Sequence, residues 1–284
     1  MVEKGDYQCD FENKWCPGCG NFGILNSMKE AFAGMDLPPE KLLIVSGIGQ
    51  AAKTPHFLKC NFFHGLHGRA LPVATGARIA NRDLNIVVNM GDGDCYGEGG
   101  NHFLAAVRRN INLTLLVHDN RVYGLTKGQV SPTSERGFIT RAQRNGARSD
   151  PINPAALALS QGAGFVARGY SGNIEQLSRL IQKAVQYRGL ALIDVLQVCV
   201  SFNRINTHEW HKQRLYDLRE AGHRQDDFAS AMELAFKDGD KIPTGVIYHR
   251  ETTEFSDRLG STAKQGLLGE DHKPEKAQAL IDGA

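Results

Sequence analysis

Apolar residues along the chain form two alternating patterns, short continuous runs and longer stretches with helical spacing. The runs include "KLLIVSG", "LNIVVNM", "NLTLLVHDN", "GFVARGY" and "ALIDVLQVCV", and such runs are typical of buried strands. Between them lie segments with helical spacing, such as residues 20–35, where Phe22, Leu25, Met28 and Phe32 recur every three or four residues. This alternation predicts an α/β fold, a parallel sheet with helices on both faces.

The pattern changes after Cys199, where charged residues and histidines become more frequent and strand-like runs become few. We therefore predict an α/β domain over residues 1–200 and a C-terminal extension over residues 201–284. The segment "HEWHKQRLYDLRE" is interpreted as an exposed or interface helix, and the final residues as an arm. Because such arms fray unless something holds them, the extension is expected to pack on the domain and on a partner subunit.

Composition and charge exclude several classes of function. The chain has 284 residues, 41% hydrophobic and 23% charged, with a net charge of +2, so no strong field favours nucleic acid or an anionic membrane. The apolar runs are too short to span a bilayer, and the polar N-terminal segment lacks the apolar core of a secretory signal. We expect a cytoplasmic protein whose six cysteines are free thiols or ligands rather than disulfides.

The stretch "VVNMGDGDCYGEGGNHF" combines a strand, a glycine-rich turn and the start of a helix. Glycines at 91 and 93 let the backbone approach a phosphate group, and the helix N-terminus favours an anion. The carboxylates of Asp92 and Asp94 would repel a bare phosphate, but Mg²⁺ binds carboxylate and diphosphate oxygens together. Gly91, Asp92, Gly93 and Asp94 are therefore predicted to bind a diphosphate through Mg²⁺.

The next strand along the chain ends in "HDNRVYG". Since neighbouring parallel strands end side by side, Asp92 and Asn120 are expected to reach one ion. The Gly-Asp-Gly start and the terminal Asn resemble the diphosphate-binding motif of thiamine diphosphate enzymes. By that resemblance Mg²⁺ is bound by Asp92, the Asn120 side chain and the Val122 carbonyl. The alternative is a glycine-rich turn and an Asn turn that bind nothing.

The segment "NKWCPGCGNF" contains Cys16 and Cys19 in a spacing shared by redox dithiols and metal sites. A thioredoxin-like pair should follow a strand, but the preceding "CDFENKW" is not strand-like. The pair instead precedes a predicted helix, whose free N–H groups could stabilise an anionic iron–sulfur cluster. Cys199, which ends the last predicted strand, could lie at the same sheet edge, although a lone cysteine is more often a small buried apolar residue.

Seven segments together resemble the β subunit of 2-oxoacid:ferredoxin oxidoreductases. They keep their order over roughly residues 12–210: "WCPGCGNFGIL", "SGIG", "PHF", "FHGLHGRALPVATG", "GDGD", "HDNRVYGLTKGQ" and "VCVSFNR". The resemblance implies thiamine diphosphate, Mg²⁺ and a [4Fe–4S] cluster as cofactors. It also implies an α subunit as partner, in an αβ pair or a dimer of such pairs. The "GLTKGQ" segment is similar to the 2-oxoglutarate or broad-specificity subgroup.

The resemblance also implies the reaction. A 2-oxo acid such as 2-oxoglutarate would be oxidatively decarboxylated with coenzyme A to an acyl-CoA and CO₂, with electrons passing through the cluster to ferredoxin. The reverse direction would be a CO₂-fixing carboxylation, as in the reverse tricarboxylic acid cycle. Two rival interpretations stay open: a thiamine diphosphate decarboxylase without electron transfer, and a non-catalytic metal-binding or thiol-redox module.

Three cluster ligands carry over from the family, Cys16, Cys19 and Cys199. The family commonly has a further cysteine directly after "SGIG", where this chain has Gln50. Cys60, ten residues further on, is our candidate for the fourth ligand. Without it, the site would hold a three-iron cluster or a cluster with a different kind of ligand.

Further site residues are implied by the same resemblance. Lys127 could select the distal carboxylate of 2-oxoglutarate as a point charge, unless it is simply a solvated loop lysine. His67 is assigned with Lys127 to the catalytic group, although His64 and His67 could also be a metal pair or structural residues. The remaining expected cofactor contacts are Ile48, Gly49, His64 and Gly65.

Overall fold

The computed structural model describes residues 1–259, 266–269 and 274–282. Within them the strands are β1 Leu42–Ser46, β2 Asn61–His64, β3 Asn85–Gly91, β4 Leu113–Asp119, β5 Val122–Tyr123, β6 Gln129–Val130, β7 Phe165–Tyr170, β8 Leu190–Leu196, β9 Leu215–Asp217 and β10 Ile242–His249. The α-helices are α1 Asn21–Gly34, α2 Ala70–Ala80, α3 Gly100–Arg109, α4 Pro154–Ser160, α5 Ile174–Gln186, α6 His208–Lys212, α7 Phe228–Ala235 and α8 Pro274–Asp282. No helix in the described ranges is long and apolar enough to cross a membrane.

Eight strands form one sheet in the order β2-β1-β3-β4-β8-β7-β10-β9. The first six run parallel to their neighbours. Strand β10 joins β7 in the antiparallel sense, and β9 runs parallel to β10 at the edge. Strands β5 and β6 form a separate short antiparallel pair. The mostly parallel sheet confirms the predicted α/β class.

Helices cover both faces of the sheet, as the continuous apolar strands require. In β4, Leu113 and Leu115 point to one face and pack with α2, α3, α4 and α7. Leu116 points to the other face and packs with α1 and α5. Burial of each such side chain contributes about 2 kcal/mol, so the two layers anchor the strands whose ends build the site.

The described residues after position 200 contain more regular structure than the sequence predicted. The segment "HEWHKQRLYDLRE" is not one long helix, because α6 ends at Lys212 and the edge strand β9 follows. Strand β10 was missed because Pro243 and Gly245 are unusual inside a strand. With α7, these strands extend the same sheet and core that residues 1–200 begin.

A buried polar cluster joins the start of α1 to the centre of the sheet. His118 of β4 is fully buried, with Nδ1 2.8 Å from Asn21 Oδ1 and Nε2 3.0 Å from Asn89 Oδ1. Burial lowers the pKa of His118 to about 3. The ring is therefore neutral at physiological pH and has one N–H to donate. Its contacts with the two amides join the helix that follows the Cys16–Cys19 pair to β3 and β4.

His118 should make the free energy of unfolding depend on pH. Below about pH 6.5 His118 is protonated in the unfolded chain but stays neutral in the folded state. This residue therefore lowers the free energy of unfolding as the pH falls. Relative to His118→Gln, wild-type protein should lose about 1.4 kcal/mol per pH unit between about pH 6 and pH 4.5. Urea unfolding over this range measures the difference, and a difference that is constant with pH would contradict the assignment.

Candidate cofactor and metal site

A cleft of about 90 Å³ lies at the carboxyl ends of the central strands. The register pairs Gly91 of β3 with His118 of β4, so the residues that follow each strand come side by side. The predicted site residues that line the cleft are Ile48, Gly49, His67, Gly91, Asp92, Gly93, Asp94, Asn120 and Val122. The cleft therefore gathers residues from four separate segments of the chain.

Asp92 is buried and held by two hydroxyl groups. Its Oδ2 accepts hydrogen bonds from Ser131 Oγ at 2.6 Å and Thr133 Oγ1 at 2.7 Å. Burial, followed by the nearby carboxylate of Asp119, raises the pKa of Asp92. A divalent cation beside this carboxylate would stabilise its charged form.

The hydroxyl groups of the loop after β6 were not among the residues predicted from the sequence. Thr133 Oγ1 also lies 2.7 Å from Asp119 Oδ1, and Ser134 Oγ donates to the Arg121 carbonyl at 2.6 Å. These residues connect the ends of β3 and β4 from a third segment. The only sequence signal was the hydroxyl-rich "SPTS", which is also common in ordinary loops.

Asn120 is fixed at both ends of its amide. Its Oδ1 accepts the Val122 N–H at 2.9 Å, and its Nδ2 donates to Gln197 Oε1 at 3.3 Å. Its backbone carbonyl accepts from Asn203 Nδ2 at 3.1 Å. The amide is therefore held in one orientation at the end of β4.

Asp94 closes the opposite side of the cleft. Its Oδ1 lies 2.6 Å from His67 Nδ1 and accepts N–H groups from Gly68 at 2.7 Å and Ile48 at 3.2 Å. Its Oδ2 is buried and has no hydrogen-bond partner within the part of the chain that the structure describes. A side chain at Gly47 would overlap this carboxylate, so glycine is required for the loop after β1 to approach.

His64, Gly65 and Lys127 lie outside the lining of the cleft. Ser46, the last residue of β1, contacts His64 Nδ1 through its hydroxyl at 2.9 Å and the Gly65 N–H through its carbonyl at 2.8 Å. Partial burial and the neighbouring His56 lower the pKa of His64. Lys127 is exposed and follows Leu125 and Thr126, which do line the cleft.

The Cys16–Cys19 loop packs against the turn that follows β8. The Gly20 N–H donates to the Val198 carbonyl at 3.0 Å. Ser201 Oγ donates to Cys16 Sγ at 3.1 Å, and Gln197 Nε2 donates to Cys19 Sγ at 3.5 Å. The two sulfur atoms therefore face the segment that contains Cys199.

Cys199 does not end a strand, because β8 ends at Leu196 and Cys199 lies in the following turn. A Cβ atom at Gly124, which lines the cleft, would lie 3.8 Å from Cys199 Sγ. Burial raises the pKa of Cys19 to about 11, and Cys199 and Cys16 add to this shift. The thiols of Cys16, Cys19 and Cys199 therefore lie near one another beside the cleft.

Cys60 has different neighbours. Burial, with a further contribution from Cys9, raises its pKa to about 12. Gln50, in contrast, lies beside the cysteine loop, since its carbonyl accepts Trp15 Nε1–H at 3.1 Å.

Over the described ranges, no three His, Cys, Asp or Glu side chains are grouped closely enough to hold a metal ion.

The donor sets agree in kind with the two groups expected at this edge. Asp92 and Asn120 offer the carboxylate and amide oxygens that Mg²⁺ prefers. Cys16, Cys19 and Cys199 offer three of the four thiolates that a [4Fe–4S] cluster takes. Asp94 Oδ2, which has no hydrogen-bond partner among the described residues, adds a further acceptor at the edge of the same cleft.

Two family models match the chain. The model described as "Thiamine pyrophosphate enzyme, C-terminal TPP binding domain" matches residues 46–195, a range that includes the whole cleft. The model that describes the C-terminal part of the pyruvate ferredoxin oxidoreductase beta subunit matches residues 199–264. The second match begins at Cys199, directly beside the cysteine loop.

Similar proteins match over most of their length. The 2-oxoacid:ferredoxin oxidoreductase 2, subunit beta, of Aeropyrum pernix is 45% identical over 269 residues, which cover 89% of this chain and 86% of that one. The corresponding subunit of a Sulfolobus species is 42% identical, with 93% and 90% covered. A structure of 2-oxoglutarate:ferredoxin oxidoreductase from Magnetococcus marinus, with 2-oxoglutarate, coenzyme A and succinyl-CoA bound, is 36% identical with a TM-score of 0.89, covering 98% of this chain and 96% of its own.

Asp92→Asn should weaken Mg²⁺-dependent binding of thiamine diphosphate by roughly a hundredfold, because a neutral amide replaces the charged ligand. Calorimetric titration of protein co-expressed with the expected α subunit measures the affinity. The matched control is Asp150→Asn, an exposed carboxylate paired with Arg136, which should bind as the wild type does. Wild-type affinity in Asp92→Asn would contradict the assignment.

Proposed function

This chain belongs to the β subunits of the 2-oxoacid:ferredoxin oxidoreductases, and from that membership we propose that its enzyme oxidises 2-oxoglutarate to succinyl-CoA and CO₂. Electrons would pass through an iron–sulfur cluster to ferredoxin. The same site would fix CO₂ when a strongly reducing ferredoxin drives it in reverse. The expected compartment is the cytoplasm, where free thiols persist.

One observation supports this proposal above the others. The diphosphate cleft and three cysteines lie at the same sheet edge, with Cys199 Sγ beside Gly124 of the cleft lining. A decarboxylase without electron transfer gives no reason for this adjacency, and a thiol-redox module gives no reason for the cleft. Electron transfer from one cofactor to another requires both to be close.

Thiamine diphosphate, when bound, would supply the nucleophilic carbon and the electron sink that decarboxylation needs. The residues of this chain would bind and orient it. We propose that Mg²⁺ is held by Asp92, the Asn120 side chain and the Val122 carbonyl. Ser131 and Thr133 would fix the Asp92 carboxylate through Oδ2, in the way that hydrogen-bonded neighbours orient metal-binding carboxylates.

The remaining cofactor contacts would come from the loops around Asp94. Ile48, Gly49, Gly91 and Gly93 would offer backbone groups close to the diphosphate. His67, whose Nδ1 contacts Asp94 Oδ1 and whose Nε2 lies 3.4 Å from Glu98 Oε2, would present its ring to the substrate side of the cleft. His64 and Gly65 would support this wall through Ser46, the last residue of β1.

We propose that Cys16, Cys19 and Cys199 bind a [4Fe–4S] cluster. Each of the first two sulfur atoms already accepts a hydrogen bond, and such bonds are usual around cluster thiolates. Cys60, the fourth candidate, would have to leave the neighbourhood of Cys9 to join them. The cluster would then either recruit Cys60 on assembly or complete its fourth site with a ligand other than cysteine.

The α subunit is the expected partner, with ferredoxin and coenzyme A as further binding partners. The residues that activate the aminopyrimidine ring of thiamine diphosphate would come from that subunit. Exposed apolar residues of β2 and of the loop after it, Phe62, Phe63 and Leu66, are suited to a protein contact. An αβ pair, or a dimer of such pairs, would be the active unit.

The assembled αβ enzyme should reduce ferredoxin in the presence of 2-oxoglutarate, coenzyme A and thiamine diphosphate, and the β chain alone should not. Anaerobic spectrophotometry of ferredoxin follows the reaction. Omission of coenzyme A and omission of the 2-oxo acid are the controls. Aldehyde formation without ferredoxin reduction would instead support the decarboxylase interpretation.

Lys127 is proposed to bind the distal carboxylate of 2-oxoglutarate. It sits in a tight turn at φ 83°, where its N–H donates to the Gly124 carbonyl at 3.2 Å and the Gly128 N–H donates to the Tyr123 carbonyl at 2.9 Å. A left-handed lysine is strained, and such strain is often found at functional sites. The turn holds the backbone of Lys127 at the rim of the cleft.

Lys127→Met should raise KM for 2-oxoglutarate by about ten- to a hundredfold, because one charge-assisted hydrogen bond is lost. The kcat/KM for pyruvate, which lacks a second carboxylate, should change much less. Steady-state kinetics with both substrates measure the ratio, with Lys4→Met as a control on a lysine paired with Glu30. An equal loss for both substrates would contradict a role in substrate selection.

A further inference from the structure

Gln197 lies between the proposed metal site and the proposed cluster site. It follows β8 directly, and the register pairs Leu196 of β8 with Asp119 of β4, so Gln197 lies opposite Asn120. Its backbone N–H donates to the Asp119 carbonyl at 2.9 Å, which continues the ladder past the strand end. The side chain is only 2% exposed, and both of its polar atoms are used.

The two ends of the Gln197 amide contact different sites. Oε1 accepts Nδ2–H of Asn120 at 3.3 Å, and Nε2 donates to Cys19 Sγ at 3.5 Å. Asn120 is the proposed Mg²⁺ ligand, and Cys19 a proposed cluster ligand. One buried amide thus forms a continuous hydrogen-bonded path from one site to the other.

The packing around Gln197 leaves little freedom for this path to change. A Cβ atom at Gly20 would lie 2.7 Å from Gln197 Cγ and 2.6 Å from Ser171 Oγ, so the loop after Cys19 can approach only because residue 20 is glycine. On the other side, the Val122 N–H fixes Asn120 Oδ1. The contacts on both sides therefore hold the amide between its two partners.

We propose that Gln197 is a positioning residue that couples the metal ligand Asn120 to the cluster ligand Cys19, an inference that rests on the proposed function. A cation at Asn120 Oδ1 polarises that amide and strengthens its N–H bond to Gln197. The polarised Gln197 in turn donates more strongly to Cys19 Sγ. Stronger donation to a cluster sulfur favours the reduced cluster and raises its reduction potential.

The amide chemistry of Gln197 makes two variants informative. Gln197→Met removes both hydrogen bonds at similar volume. Gln197→Glu keeps an acceptor for Asn120 and, in its ionised form, removes the donor to Cys19 and adds negative charge beside it. Gln176→Met is the matched control, since Gln176 is also a buried glutamine but donates to Thr244 Oγ1 at 3.1 Å, in contact with neither proposed site.

The experiment uses the αβ enzyme, assembled and purified without oxygen. Calorimetry gives the affinity for thiamine diphosphate at fixed Mg²⁺, and a redox titration followed by electron paramagnetic resonance gives the cluster potential with and without the cofactor. In wild-type enzyme and Gln176→Met, binding of the cofactor should raise the potential. In Gln197→Met the affinity should fall about three- to tenfold, the potential should be lower, and its response to the cofactor should be lost.

Gln197→Glu should separate the two hydrogen bonds. Its cofactor affinity should be equal to or tighter than that of the wild type, while its cluster potential should be the lowest of the set. If Gln197 had a purely structural role, its variants would differ in thermal stability, but cofactor affinity and cluster potential would not change in opposite directions. Such a role would therefore leave the potential and its response to the cofactor intact.

The possible failures are distinguishable. If wild-type enzyme contains no iron or binds no thiamine diphosphate, the proposed function has failed and the coupling fails with it. If the wild type contains both, but the two Gln197 variants match Gln176→Met in affinity and potential, only the coupling is overturned. A folded Gln197→Glu keeps the test decisive even if Gln197→Met does not assemble.

Discussion

Three parallel strands of the sheet end side by side, and this arrangement determines where the residues of the candidate site lie. Backbone hydrogen bonds fix the register of β3, β4 and β8, which pairs Gly91 with His118 and Asp119 with Leu196. The next residues along each strand, Asp92, Asn120 and Gln197, are then neighbours by construction. A shift of one residue in either pairing would turn the side chains of a strand to the opposite face and separate them.

Charge burial at this edge is balanced by local partners rather than by solvent. Asp92, Asp119 and Asp194 are all buried, and burial raises the pKa of each. Arg121 lies among them and bonds Glu135 at 2.5 Å and Asp238 at 3.3 Å. Buried carboxylates are costly unless charges and hydrogen bonds satisfy them, so hydroxyl groups and a nearby arginine accompany the proposed metal ligand. A cation there would offset part of the remaining repulsion.

The central strands were predictable from the sequence because they are apolar and bounded by polar turns. Three strands were missed: β2 and β9, which are short edge strands, and β10, which contains proline and glycine. Cys199 was predicted at a strand end, but the strand stops at Leu196. Periodicity cannot reveal edge strands that owe their conformation to a neighbour.

The site was predictable where the residue type itself carries chemistry, as in Gly-Asp-Gly, the terminal Asn and the paired cysteines. Ser131, Thr133 and Gln197 could not be predicted, because hydroxyl and amide side chains are common and their roles depend on contacts between distant segments. Cys60 illustrates the opposite case, in which a suitable residue type lies near Cys9 instead. Spacing along the chain gave no information about that placement.

We propose that one sheet edge holds both the diphosphate cofactor and an iron–sulfur cluster. The most direct measurement is iron, acid-labile sulfide and bound thiamine diphosphate per chain, in αβ enzyme purified without oxygen. We expect about four iron atoms, about four sulfides and one thiamine diphosphate for each β chain. Zinc in place of iron, or cofactor without iron and sulfide, would contradict it.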